Sequence, residues 1–298
     1  MKRDKYAAID IGSNAIRLLL VNVYDNGESS SYKKVSLVRV PLRLGKDVFT
    51  TKRISAEKAV DFERTMIAFE HLMKVHKVYK YRACATSAMR DAENGAEIVN
   101  GIKERTDINI EIISGEEEAK IIRSTHIEER LEQNHDFLYV DVGGGSTEIS
   151  LYQEGKLQRS KSFNIGTIRL LENMVTKETW LEMQSWLQEI TKNQSGLEII
   201  GSGGNINKIY KLLEKSDWQV IRYAELQGIY TKLSDLTLEE RMMKLKLHPD
   251  RADVIVPAAL LFERIMFWAQ SDEIQVPKLG LSDGIIKSLH KNLSFKDY

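Results

Sequence analysis

Apolar residues in the first 42 positions of the chain fall into three short runs. The runs cover 5–11, 15–23 and 32–42, and the stretches Gly12-Ser13-Asn14 and Asp25-Asn26-Gly27 separate them. Short apolar runs joined by turns that contain Gly and Asn are typical of strands linked as hairpins. The pattern predicts that an antiparallel meander of three strands opens the protein.

Beyond the meander, helical spacing alternates with short apolar runs. Apolar residues recur at helical spacing over 55–76, and two further helices are predicted at 92–104 and 115–131. Between these helices, 81–86 and 109–113 are short enough to be buried strands. Strands that alternate with helices are typical of an α/β fold.

The same order of elements begins again at Phe137. A second meander is predicted over 137–163, and its Asp141 corresponds to Asp10 at an offset of 131 residues. An offset of that length is the size of a domain and much longer than a solenoid repeat. Further elements are predicted as helices at 167–174, 177–192 and 206–213 and strands at 197–201 and 273–279.

This repetition predicts two related halves. We place the first domain at 1–125 and the second at 126–281, and we expect a last helix, about 282–298, to pack back on the first domain. The halves are not separated by a Gly/Ser linker or a low-complexity segment. We therefore expect them to face each other across a cleft.

Each half carries a glycine-containing turn after a strand that ends in Asp. The first is Asp10-Ile11-Gly12-Ser13-Asn14, and the second is Asp141-Val142-Gly143-Gly144-Gly145-Ser146. Glycine lets backbone N–H groups approach an anion, and Ser and Asn side chains add neutral donors. An ordinary glycine-rich hairpin explains either turn alone, whereas the repetition favours phosphate binding.

A third glycine-rich turn is Gly201-Ser202-Gly203-Gly204-Asn205, which precedes a predicted helix. It is either a further phosphate contact at a helix N-terminus or a tight turn with Asn205 as the N-cap. Neither a dinucleotide-binding G-x-G-x-x-G string nor a P-loop string occurs in the chain.

Carboxylates accompany these turns. Asp141 and Glu148 offer oxygen ligands to Mg²⁺ or another divalent cation, and Asp10 is a further candidate. Glu116, Glu117 and Glu118 occupy the first turn of a predicted helix. Acids there stabilise the helix dipole, but one of them is also suited to orienting a water for attack on phosphate. The spacing does not select among the three.

Composition narrows the class of protein. Lys and Arg number 43, equal to Asp and Glu, so there is no global positive field to gather nucleic acid or anionic lipid. Cys84 is the single cysteine, which excludes an internal disulfide and a cysteine zinc cluster. No window reaches the roughly 20 apolar residues of a membrane span. We expect a soluble protein of the cytoplasm.

Five ordered segments together resemble the Ppx/GppA family of exopolyphosphatases and guanosine pentaphosphate phosphatases, in its short two-domain form. They are 8–18, 85–92, 113–119, 141–148 and 201–205. The resemblance implies the actin, Hsp70 and sugar-kinase superfamily fold, with two ribonuclease H-like domains and an active site in the cleft between them. Ala15 and Ser282-Asp283-Gly284 depart from the common family pattern.

The resemblance also implies roles for individual residues. Glu117 matches the catalytic carboxylate, and Asp141 and Glu148 match positions near the divalent metal, with Asp10 added as a further ligand candidate. Arg90, which taken alone is more readily explained as a surface ion-pair partner, matches an arginine that binds the polyanion. The phosphate-binding residues are then Ser13, Asn14, Arg90, Gly143, Gly144, Gly145, Ser146, Gly203 and Gly204.

The predicted function is therefore metal-dependent hydrolysis of terminal phosphoanhydride bonds, with Mg²⁺ as cofactor. Inorganic polyphosphate and guanosine pentaphosphate are both candidate substrates, and neither nucleic acid nor a membrane is an expected partner. A homodimer is left open. Two alternatives stand beside this prediction: an ATP-dependent small-molecule kinase of the same superfamily, and a non-catalytic sensor that binds a guanosine alarmone.

Overall fold

A computed structural model describes residues 2–123, 136–192, 194, 197–217 and 219–292. Backbone contacts divide the chain into two compact units. One comprises Met1–Thr125 and Leu281–Tyr298, and the other comprises His126–Gly280. Among the helices in the described ranges, none is long and apolar enough to cross a membrane.

The first unit is built on a five-stranded mixed sheet. Its strands are β1 (Lys2–Ile11), β2 (Ile16–Asp25), β3 (Ser30–Val40), β4 (Lys80–Ala85) and β5 (Ile110–Ile112). The order across the sheet is β3-β2-β1-β4-β5, with β1 to β3 antiparallel and β4 and β5 parallel to β1. The predicted opening meander is confirmed.

Among the described residues up to 123, five helices alternate with these strands. They are α1 (Leu44–Thr51), α2 (Ala56–Val75), α3 (Ser87–Asp91), α4 (Gly95–Arg105) and α5 (Gly115–Arg123). Helix α1 was not predicted. The single helix predicted over 92–104 is wrong at its start, because Ala92 is extended and separates α3 from α4. The predicted continuation of α5 beyond Arg123 lies outside the described residues.

The second unit repeats this sheet and adds one strand. Its strands are β6 (Phe137–Val142), β7 (Thr147–Gln153), β8 (Lys156–Phe163), β9 (Glu198–Ser202), β10 (Ile221–Arg222) and β11 (Glu273–Gln275). The order is β10-β11-β9-β6-β7-β8. Read from β8 to β11, it has the order and strand directions of the first sheet, and β10 pairs antiparallel at the edge. Two related α/β halves are thereby confirmed.

In the described part of the second unit, seven helices accompany these strands. They are α6 (Thr167–Leu171), α7 (Lys177–Thr191), α8 (Gly204–Leu212), α9 (Tyr223–Asp235), α10 (Leu238–Leu245), α11 (Pro249–Ala252) and α12 (Ile255–Ala269). Helix α12 is apolar on almost every side and belongs to the core of this unit. Helix α8 begins at Gly204, preceded by Gly203 at φ +114°, so Asn205 is not its N-cap.

The last helix, α13 (Leu281–Lys291), packs on β1, β2, β4 and α5 of the first unit. A Cβ atom at Gly284 would lie 2.1 Å from the backbone oxygen of Ile121 in α5, so the two helices meet at van der Waals distance only because Gly284 has no side chain. At the other end of α13, the His290 ring lies 2.9 Å from the Tyr32 hydroxyl and 3.0 Å from an Asp25 carboxylate oxygen.

Candidate active site

Two backbone hydrogen bonds from the start of α1 support the first glycine-containing turn, 12–14. The Gly45 N–H donates to the Ser13 carbonyl at 2.8 Å, and the Arg43 N–H donates to the Asn14 carbonyl at 3.0 Å. In a trans peptide the carbonyl and the following N–H point in opposite directions. The N–H groups of Asn14 and Ala15 are therefore directed away from α1.

The hydroxyl of Ser13 also connects this turn to the end of β4. Its Oγ lies 2.8 Å from the Oγ of Ser87, the first residue of α3, and both side chains are buried. Ser13 thus belongs to a polar pair that spans two segments far apart in sequence. The spacing of residues along the chain does not reveal this partner.

The second turn, 143–146, is supported in the same way by α6. Each glycine carbonyl accepts a hydrogen bond: Gly143 from the Thr167 N–H at 3.0 Å, Gly144 from the Ile168 N–H at 2.8 Å, and Gly145 from Arg169 Nε at 2.7 Å. By the same peptide geometry, the next N–H groups along the chain point away from α6. These are three successive donors, on Gly144, Gly145 and Ser146, in the arrangement that binds anions.

Asp141 and Glu148 lie directly opposite each other in the β6–β7 pair. Directly paired residues of antiparallel strands place their side chains on one face of the sheet. Glu148 is 3% exposed and accepts a hydrogen bond from Ser162 Oγ at 2.8 Å. A Cβ atom at Gly203 would lie 3.2 Å from Asp141 Oδ1, so the third glycine-rich turn adjoins this pair.

These two carboxylates suit a magnesium ion that keeps part of its water shell. Within the described ranges, no group of three or more His, Cys, Asp or Glu side chains is arranged to hold a metal ion. Mg²⁺ is commonly bound through one or two carboxylates, with water and substrate phosphate completing its octahedron. The donor set of Asp141 and Glu148 fits that mode of binding.

Asp10 has a different environment from its counterpart Asp141. It lies directly opposite Arg17 in the β1–β2 pair, and its Oδ2 is 2.6 Å from Arg17 Nη1. Arg17 corresponds to Glu148 at the same offset of 131 residues. The second unit therefore has an acid where the first unit has a base, and the Asp10 carboxylate already faces a guanidinium.

The acidic turn of α5 is anchored to the first sheet through Glu117. Arg82 Nη2 lies 2.6 Å from Glu117 Oε1 and 3.0 Å from Glu111 Oε2, and Arg82 Nε lies 3.2 Å from Glu111 Oε1. All three side chains are mostly shielded, with 13% of Arg82 and 17% of Glu117 exposed. Burial opposes the charge of Arg82, but the hydrogen bonds that its guanidinium donates to both carboxylates outweigh burial and raise the pKa of the guanidinium.

Ser114 begins the same turn, and its Oγ accepts the Glu117 N–H at 3.1 Å. Arg90, an exposed residue of α3, donates from Nη1 to the Ile113 carbonyl at 2.8 Å. Arg90 therefore contacts the segment that leads into the acidic turn rather than an acidic surface partner. Sequence reasoning identified Arg90 and Glu117 but missed Arg82, Glu111 and Arg169. Their signal in the sequence is weak: a charge within a short strand or helix.

The family model described as the Ppx/GppA phosphatase family matches residues 23–293. The chain belongs to this family. Family membership, together with the exopolyphosphatases among its relatives, supports a phosphatase that acts on phosphoanhydride bonds.

Two curated relatives illustrate the range of this Ppx/GppA family. Exopolyphosphatase 2 of Mycobacterium tuberculosis is 27% identical, over 97% of this chain and 99% of that protein. A bifunctional 3-dehydroquinate synthase/phosphatase of Fusobacterium nucleatum is 28% identical, over 92% of this chain. The chain spans 46% of the length of the Fusobacterium protein.

A solved structure supports the fold. The crystal structure of the Aquifex aeolicus Ppx/GppA family member aligns with a TM-score of 0.77 at 24% identity, over 98% of this chain and 100% of that one. The expectation of two mixed-sheet α/β domains is confirmed.

Proposed function

We propose that this family member hydrolyses the terminal phosphoanhydride bond of inorganic polyphosphate and releases phosphate. The observation that carries the proposal is the turn 143–146, where three successive N–H groups point away from α6. The adjoining Asp141 and Glu148 add the acidic pair that phosphoryl transfer uses to bind a divalent ion. The similarity to Exopolyphosphatase 2 of Mycobacterium tuberculosis over nearly its whole length favours polyphosphate as the substrate.

The turn 143–146, the acidic turn of α5 and the pair of Asp141 and Glu148 each have a role in the proposed reaction. The N–H groups of Gly144, Gly145 and Ser146 bind and orient the terminal phosphate. A carboxylate of the α5 turn accepts a proton from water, whose oxygen forms a bond to the terminal phosphorus while the bond to the bridging oxygen breaks. Asp141 and Glu148 would hold Mg²⁺, which when bound neutralises charge on the phosphoryl group.

The contacts of the acidic turn bear on which glutamate is the base. Arg82 Nη2 donates to Glu117 Oε1 at 2.6 Å, so an ion pair within the first unit already engages the Glu117 carboxylate. Glu118, also half-buried, points in a direction about 100° further around the helix. We propose Glu118 as the base and Glu117, the residue that the family resemblance selects, as its anchor.

Three Glu→Gln variants of one helical turn test this assignment. We expect Glu118→Gln to bind substrate but to lose about 10²- to 10⁴-fold in kcat, because the proton acceptor is removed. Glu117→Gln should lower the melting temperature through the loss of its ion pair with Arg82. Glu116→Gln, at an exposed position, is the control. A comparable kcat loss in Glu117→Gln at an unchanged melting temperature would restore the resemblance-based assignment.

Substrate choice is tested by measuring phosphate release with Mg²⁺ from polyphosphate and from guanosine pentaphosphate in parallel. The proposal expects the larger kcat/KM with polyphosphate. A preference for guanosine pentaphosphate assigns the second candidate substrate. Phosphate transfer that depends on an added sugar or acid acceptor supports the kinase, and nucleotide binding without phosphate release supports the sensor.

A further inference from the structure

The two glycine-containing turns differ in how their last carbonyl is held. Asn14 and Gly145 correspond at the offset of 131 residues, and both carbonyls accept one hydrogen bond from the supporting segment. In the first unit the donor is a backbone N–H, that of Arg43, at 3.0 Å. In the second unit the donor is a side chain, Arg169 Nε, at 2.7 Å. The second turn therefore has a charged group where the first has a neutral one.

Arg169 is itself firmly placed. The residue is 8% exposed, its own N–H lies 3.4 Å from the Gly144 carbonyl, and its carbonyl accepts the Met174 N–H at 2.8 Å. The guanidinium of Arg169 brings a positive charge to this position. A hydrogen bond from a charged donor is also about twice as strong as one between neutral groups.

We propose that Arg169 is a positioning residue of the phosphate-binding turn. Its Nε–H fixes the Gly145–Ser146 peptide so that the Ser146 N–H faces the bound phosphate, and its charge adds to the field that the anion meets. The proposal rests on the proposed function of this turn. Because the phosphate is bound before and during the reaction, Arg169 contributes mainly to substrate affinity and raises KM when removed.

Substitution of Arg169 separates its two contributions. Arg169→Met removes both the donor and the charge, and we expect it to raise KM for polyphosphate and Kd for inorganic phosphate about 10- to 100-fold. Arg169→Lys keeps the charge without the Nε–H and should show a smaller rise that still exceeds threefold. The kcat should change less than KM in both variants. The control is Arg159→Met, which alters an exposed arginine of the same unit that pairs with Glu189.

A measurement on the unaltered protein covers the case in which the buried arginine cannot be replaced without unfolding. Titration of ¹⁵N-labelled protein with inorganic phosphate should shift the amide resonance of Ser146 together with those of Gly144 and Gly145. An unmoved Ser146 amide beside two shifted glycines overturns the proposal, and so does a wild-type KM in folded Arg169→Met. A wild-type KM in Arg169→Lys overturns the role of the hydrogen bond. If the unaltered protein neither binds phosphate nor releases it from polyphosphate, the proposed function itself fails.

Discussion

Residues at matching positions of the two sheets carry different chemistry. Asp10 faces Arg17 across one strand pair, whereas Asp141 faces Glu148 across the equivalent pair. An aspartate beside a guanidinium has its charge compensated within the protein, but two adjacent carboxylates favour a divalent cation. Of these two equivalent pairs, only the one in the second unit therefore consists of two acids.

Cys84 is predicted to be inert rather than nucleophilic. The thiol is buried in β4, and burial raises its pKa to about 12. In the folded protein at pH 8, we expect Cys84 to react with a thiol reagent such as DTNB only at the rate of unfolding. Rapid, complete labelling under native conditions would show that the thiol is accessible and is therefore not held as described.

Burial of the same thiol predicts that the free energy of unfolding falls at alkaline pH. A cysteine in an unfolded chain titrates near 8.5, so its proton is lost earlier there than in the fold. The stabilising contribution of the neutral thiol is complete below about pH 8.5 and is lost as the pH rises towards the folded pKa. The loss is about 2 kcal/mol at pH 10. Urea unfolding of wild type and Cys84→Ala at pH 7.5 and 10 measures it: the difference in unfolding free energy between the two proteins should shift by that amount.

Sequence reasoning identified those site residues whose chemistry is local. Asp141 and the three glycines after it are adjacent in the chain, so their phosphate-binding character is visible there. Arg169 is remote from that turn in sequence and contacts it only in the folded chain. Arg82 likewise reaches Glu117 across 35 positions. Such partners require the fold, because a single charged residue in a short element does not indicate what it meets.

At the scale of elements, burial and tertiary contacts determine helices that local propensity does not predict. Helix α1 contains Gly45, Val48 and two threonines, which are weak helix formers. It forms because Leu44, Val48 and Phe49 are fully buried. The break between α3 and α4 also has a distant cause, since the Asn94 side chain makes two hydrogen bonds of 2.9 Å to the backbone of Ile54. By contrast, the second meander was predicted to begin at Phe137, where β6 begins, because 137–140 are continuously apolar.

The contact between α5 and α13 predicts a strongly asymmetric response to alanine. Gly284→Ala should lower the free energy of unfolding by about 1 to 3 kcal/mol, because its methyl group would overlap the Ile121 backbone and force the helices apart. Gly228→Ala, within α9, has open space around the new methyl group and should stabilise the protein by about 0.5 to 1 kcal/mol. Chemical unfolding of the two variants measures both, and equal effects would contradict the close helix contact.

For the whole molecule, activity is predicted to depend on a divalent cation. EDTA should abolish phosphate release, and added Mg²⁺ should restore it, because Asp141 and Glu148 offer only part of an octahedral shell. The Asp141→Asn, Glu148→Gln double variant should require more Mg²⁺ for half-maximal rate, while Glu182→Gln, an exposed partner of Lys161, should not. Full activity in chelator would remove the metal assignment.

The cleft implied by the family resemblance, and a cytoplasmic location, remain predictions.

The position of α13 also bears on how the protein is made. Residues 281–291 leave the ribosome after all of 126–280, yet they cover β1, β2 and β4 of a sheet whose strands were synthesised first. During translation, the face of the first sheet that α13 covers therefore stays uncovered until 281–291 have been synthesised, after the whole of the second unit. Nascent chains in that state expose hydrophobic surface to chaperones and to each other. Completion of the first unit therefore follows synthesis of the second, although most of the first unit's sequence is made earlier.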